Sequence, residues 1–190
     1  MTLPKRIILG ISGASGAIYG IRTLQLLREL GIETHLVISH IARQVIAAET
    51  DWRIPDLEAL ASHAYNPDDL AAPIASGSFH TDGMLVVPCS IKTLSGIANC
   101  YAENLIQRAA DVCLKEGRPL LLAVRETPFH QGHLHLMQLA ANAGAIIFPP
   151  VLSFYSKPKS LDEIIDETIG RMLMRLGIKN PYFKEWSKNE

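Results

Sequence analysis

A chain of 190 residues with 48% hydrophobic and 19% charged side chains can close one sizeable core and is too apolar for intrinsic disorder. A formal net charge of −1 without a basic run leaves no electrostatic footprint for nucleic acid. The three cysteines, Cys89, Cys100 and Cys113, are odd in number and form no CxxC. That excludes a disulfide framework and a cysteine zinc site, and points to a reducing compartment, the cytoplasm.

From the N-terminus, "MTLPKRIILGISG" reads as a first strand over 6–11, its apolar run being too short, and without a cleavage signature, for a signal peptide. "AIYGIRTLQLLREL" (17–30) has helical periodicity and is closed by Gly31. A strand follows over 32–39 and a helix over 40–49. The region 50–80, with Pro55, Pro67 and Pro73, reads as loop containing one short helix, "DLEALA". Strands are expected at 83–89, 119–126 and 145–150. Helices are expected in "SIKTLSGIA", "ENLIQRAADVCLKEG" and "HLHLMQLAANAG". A last helix carries a capping box, Ser160 with Glu163, and stops at Gly177. No apolar run approaches the ~20 residues of a membrane helix, so a soluble protein without a membrane partner is expected.

Continuously apolar strands separated by helices imply a sheet covered on both faces. The fold class is α/β: a single-domain, doubly wound, Rossmann-like, mostly parallel sheet in three α/β/α layers, spanning 1–190 with 178–190 as a C-terminal tail. In such folds ligands lie beyond the carboxyl ends of the strands. Those ends read "GISGAS", "VISH", "VPCSIKT", "VRETP" and "PPVLSFY".

The first, "GISGASGAIYG", is a glycine-rich strand-to-helix turn, which presents backbone N–H groups and a positive helix end to an anion. A nicotinamide dinucleotide would want an acid at the end of the second strand, but that strand ends at Ser39 and His40. Tyr155 and Lys159 have the spacing of a short-chain dehydrogenase pair, yet Pro158 and the cap at Ser160 put them in a loop. "SIKT" lacks the preceding GxxxxG of a Walker A loop. Ser90 reads instead as the N-cap of a second helix-terminus contact. Two such turns side by side suit a mononucleotide such as FMN, phosphate on one and ring against the other.

Together, "GISGASGAIYG", "ETD", "SGSF", "PCSIKTLSGI", "RAADVCLKE", "RETP", "GHLHLM" and "PPVLSFY" closely resemble the UbiX family of flavin prenyltransferases, from about Arg6 to Gly177. The resemblance implies that dimethylallyl monophosphate alkylates reduced FMN at N5 and C6. The product, prenylated FMN, would serve a partner decarboxylase of the UbiD family in ubiquinone biosynthesis or aromatic-acid decarboxylation. It also implies a metal-independent homo-oligomer, usually a dodecamer, with active sites where subunits meet. No DDxxD-type clamp is present to hold magnesium and a diphosphate; Asp68-Asp69 is followed by "LAAP".

By that resemblance Gly13, Ala14, Ser15, Ser39, Ser90, Ile91, Lys92, Thr93 and Arg125 hold FMN. Arg108, Lys115, Tyr155 and Arg171 grip the prenyl phosphate, and Trp186 is a lid. Ser15, Glu49 and Glu126 are the acid–base candidates, a carboxyl beside the flavin serving if burial raises its pKa. Read from the residues alone, alternatives stand beside these roles. Ser39 and Thr93 also suit helix capping, and Glu49 and Glu126 suit ordinary surface positions. Arg108, Asp111 and Lys115 also suit a charge ladder on a solvated helix face. His133 and His135 point to different faces of one helix, which disfavours a metal. Cys89 lacks an adjacent His–acid pair, which disfavours a nucleophile. Two rivals remain: a flavin-dependent cysteine decarboxylase, whose "PxMNxxMW" segment is missing here, and a non-catalytic flavin carrier, which needs no phosphate clamp.

Overall fold

The computed structural model describes residues 5–183. In chain order these form β1 (Arg6–Ile11), α1 (Ala17–Glu29), β2 (Glu33–Ile38), α2 (His40–Glu49), α3 (Ile54–Glu58), β3 (His63–Tyr65) and a 3₁₀ turn (Pro73–Ala75). Then come β4 (Gly83–Cys89), α4 (Ile91–Ala98), α5 (Leu105–Lys115), β5 (Leu120–Val124), α6 (Gln131–Asn142), β6 (Ile146–Ile147) and α7 (Leu161–Arg175). The six strands lie in the order β3-β2-β1-β4-β5-β6, all pairs parallel.

Side chains alternate across each strand, so one apolar run feeds two cores. Ile7, Leu9 and Ile11 of β1 face a cluster closed by Ile21, Leu24 and Leu27 of α1 and by Ile169 and Leu173 of α7. Ile8, with Met84 and Val86 of β4, faces the opposite cluster, closed by Ile106, Ala109 and Cys113 of α5. All seven residues of β4 are buried, as befits a strand inside a covered parallel sheet. Pro88 is accommodated at its end by a shift of register between Val86 and Cys89.

Local expectations hold in most elements, with informative departures. Ser160 accepts from the Glu163 N–H at 3.2 Å, but the Glu163 carboxylate reaches back to the Lys159 N–H at 2.6 Å, one residue before the cap. Gly177, with φ 69°, ends α7 in the left-handed region. The loop expected over 50–80 contains a strand, β3: three residues have no readable period, and pairing with β2 decides their state. The strand expected over 145–150 is only Ile146–Ile147, because Pro149 and Pro150 cannot donate to a ladder. The short helix runs Ile54–Glu58, starting earlier than "DLEALA" with Pro55 in its first turn.

Candidate active site at the switch point of the sheet

Chain order reverses between β1 and β4, so the turns after these neighbouring strands diverge and leave a crevice. A cavity of about 460 Å³ lies there, lined by Gly13, Ser39, residues 90–93 and Glu126. Three turns converge on it, as the strand-end rule requires. Ser39 caps α2, its hydroxyl accepting from the Ala42 N–H at 3.1 Å. Ser90 caps α4, accepting from the Thr93 N–H at 3.3 Å and donating to the Thr93 hydroxyl at 3.1 Å. Both helices aim their positive ends, with the N–H groups of their first turns, at the cavity, which suits an anion.

Helix α1 differs. Its N-terminal N–H groups are already taken by a carboxylate: Glu49 Oε2 accepts from Gly16 at 2.8 Å and from Ala17 at 3.0 Å. Burial by itself pushes the Glu49 carboxyl up, but the Ser15 hydroxyl, the two backbone donors and the Arg125 charge outweigh it. The carboxyl therefore titrates below its ordinary value. The glycine turn thus seats an internal anion, with Ser15 and Arg125 beside it. Arg125 also faces Tyr19, whose hydroxyl is raised by burial against the pull of that charge. Two donors at the start of α1, the Gly16 and Ala17 N–H groups, are therefore closed to an external phosphate, while Gly13 and the ends of α2 and α4 line the cavity.

One connecting residue has no signature in the sequence. Ser12 is 1% exposed, donates to the Pro88 carbonyl at 2.9 Å and accepts from the Ser90 N–H at 2.8 Å. It locks the first turn to the third. A small buried hydroxyl in a strand terminus has no periodicity to announce it. At the rim, His40 and Asp68 pair at 2.8 Å, and Lys92 pairs with Glu103 at 3.0 Å, dividing this cavity from a larger depression of about 760 Å³ against α6. That depression lies on a helical flank, away from the carboxyl ends of β1 and β2, so the smaller cavity is the candidate site.

Of the residues expected to act, Gly13, Ser39, Ser90, Ile91, Lys92, Thr93 and Glu126 meet in this cavity. Ala14 lies in the first turn, its N–H turned back to the Ser12 carbonyl. Glu126 is exposed, its Oε1 accepting from the Thr127 N–H at 2.9 Å, so its own chain does not supply the burial expected for it. The phosphate-gripping set is not brought here. Arg108 turns to the Ala75 carbonyl and Asp111, and Lys115 pairs with Glu116. Helix α5 starts beside the cavity at its cap, Asn104, and at about 1.5 Å per residue it carries Lys115 some ~16 Å away, toward the amino-terminal side of the sheet. Arg171 is exposed, with its guanidinium 5.9 Å from the centroid of Phe148, and Tyr155 is half-exposed in the loop before α7. Trp186 lies outside the described residues.

Cys89 is fully buried and burial drives its thiol pKa far up, so it is a packing residue. Glu33, His35 and His63 bring three ligating atoms within 4.8 Å. The Glu33 carboxylate is, however, occupied by the Arg6 guanidinium at 3.0 Å, and His35 is satisfied between Glu33 and Tyr65.

A doubly wound sheet with hydroxyl-capped helix termini at its switch point defines a flavin-type nucleotide site, and the Flavoprotein family model matches residues 1–173. Over 185 residues the chain is 56% identical to flavin prenyltransferase UbiX of Escherichia coli (strain K12), covering 96% of this chain and 98% of the relative. Its fold superposes on AnUbiX (PadA1), crystallised with FMN and dimethylallyl pyrophosphate, with a TM-score of 0.96 and 46% identity, covering 99% and 100% of the two chains. A dodecameric FMN-dependent UbiX-like decarboxylase from Escherichia coli O157:H7 gives 0.93 and 46%, covering 96% and 99%. The chain belongs to the UbiX family of flavin prenyltransferases.

Proposed function

We propose that this chain, a single flavoprotein domain, transfers a dimethylallyl group from dimethylallyl monophosphate to N5 and C6 of reduced FMN without a metal. The observation that carries the reading is the cavity between the hydroxyl-capped ends of α2 and α4, with Glu126 at its mouth and the Glu49–Ser15–Arg125 group beside it. Ser39, Ser90 and Thr93 would hold the FMN phosphate, beside Gly13, where a Cβ would meet the Ile41 side chain at 2.4 Å. Reduced FMN supplies the nucleophilic N5 and C6.

The protein's part is charge and proton management. Glu49 stays ionised at neutral pH and holds Ser15, so a proton lost at C6 has a route through Ser15 Oγ to that carboxylate. Of the carboxyls lining the cavity, Asp68 pairs with His40 and Glu103 with Lys92, which leaves Glu126 to exchange the proton of the departing phosphate. Arg108, Lys115 and Arg171 would neutralise that phosphate, doing what magnesium does for diphosphates, and Tyr155 would donate a hydroxyl hydrogen bond to it. Since Lys115 stands far from the cavity of its own chain, the site is completed by other copies, in a homododecamer like that of the E. coli O157:H7 protein. The product then passes to a UbiD-family decarboxylase, and the three unpaired cysteines suit the cytoplasm.

Anaerobic incubation with reduced FMN and dimethylallyl monophosphate, followed by mass analysis of the flavin, tests this. A gain of one C5 unit is expected, with the monophosphate used in preference to the diphosphate bound by AnUbiX; no gain with either overturns the reading. Glu126→Gln should abolish the gain while FMN still binds, and wild-type turnover in that variant would remove Glu126 from the chemistry.

A further inference from the structure

Two guanidinium groups converge on one turn at the amino-terminal side of the sheet. Arg118 donates from Nη1 to the Phe79 carbonyl at 2.8 Å and from Nη2 to the Gly77 carbonyl at 2.7 Å. Arg108 Nε donates to the Ala75 carbonyl at 3.1 Å. Alternate carbonyls of the turn are thus tied to cations. Between them Ser76 and Ser78 are exposed, their hydroxyls 2.9 Å apart.

Gly77 stands between these serines and against the end of α5. A Cβ there would lie 2.7 Å from Lys115 Nζ and 2.2 Å from Glu116 Oε1. Its backbone is not among those with positive φ, so conformation does not require glycine here. Space does: any side chain would displace the Lys115 ammonium.

We infer that the Ser76–Ser78 turn belongs to the half-site that binds the prenyl phosphate, its two hydroxyls adding donors beside Lys115 and Arg108, and that Arg118 is the positioning residue holding it. This rests on the reading above, in which Lys115 and Arg108 bind that phosphate. A phosphate monoester has three terminal oxygens with several lone pairs each. Two cations supply charge but leave acceptor sites that hydroxyls can fill. The Arg108 fork serves both parts, since one nitrogen holds the turn while another pairs with Asp111.

The test is steady-state kinetics with dimethylallyl monophosphate at saturating reduced FMN, on the full-length protein. Ser76→Ala/Ser78→Ala and Gly77→Ala should each raise KM for the phosphate about tenfold, the scale of one charge-assisted hydrogen bond, with kcat changed far less. FMN affinity and the melting temperature should not move, because both hydroxyls are exposed and the atoms that an alanine Cβ would meet are flexible side-chain ends. Arg118→Met should reproduce the rise in KM, and Arg118→Lys should recover only part of it, one ammonium being unable to span both carbonyls. A wild-type KM in the double-serine variant overturns the inference, whatever Gly77→Ala does. Lys115→Ala separates the two levels: a raised KM there beside wild-type serine variants sinks only the turn's role. An unchanged KM in Lys115→Ala sinks the underlying reading as well.

Discussion

Glu49 shows how one side chain can change the meaning of a motif. The glycine turn advertises an anion site at the start of α1, and the structure fills that site with the chain's own carboxylate. The consequence has a sign. Because its folded pKa lies below the ordinary 4.5, the ionised carboxylate adds stability that is present above that pH and lost as pH falls through the lowered value. Glu49→Gln keeps an acceptor but removes the charge facing the helix end, which costs about 0.5 kcal/mol after allowing for solvent screening. Denaturant midpoints should therefore differ between wild type and variant at pH 7 and converge as the pH falls below the lowered value. A constant difference would mean that the charge contributes nothing there. Which residues occupy the turn was legible from spacing alone; that Glu49, more than thirty positions away, closes it was not, since only folding brings the end of α2 beside the start of α1.

At the scale of elements, the periodic segments could be read because burial on both faces forces long apolar runs, and caps such as Ser160 mark their ends. Short elements escaped: β3 exists by virtue of its partner β2, and β6 is cut to two residues by the prolines after it. The contact between α1 and β4 is the tightest constraint on the switch point. A Cβ at Gly20 would stand 2.3 Å from the Val87 carbonyl oxygen and 3.0 Å from the Ile11 side chain, in the interior of both elements. Since a backbone oxygen cannot yield, Gly20→Ala should push α1 off the sheet and cost about 2–3 kcal/mol, the usual scale of core overpacking. Thermal melting would show a drop of several degrees, and an unchanged melting temperature would refute the close approach.

At the scale of the whole molecule, the function proposed above divides the described chain into two half-sites. The cavity with Glu126 opens at the carboxyl ends of the strands, while Arg108 and Lys115 sit on α5 facing the 75–79 turn. If copies exchange these halves, Glu126→Gln and Lys115→Ala should each lack efficient turnover alone yet complement when dissociated and reassembled together. Random mixing restores about a quarter of the sites when each is built from two chains. Absence of recovery in assembled mixtures would place both groups in one chain. The sequence by itself determined the parallel sheet, the strand ends that carry chemistry and the residue types gathered there, because hydrophobic period, caps and glycine turns act locally. Only the tertiary structure decided that Glu49 blocks one helix end, that Ser12 joins two turns and that the cationic half points away from the cavity. Those facts depend on distances between segments remote in the chain, which no local pattern encodes.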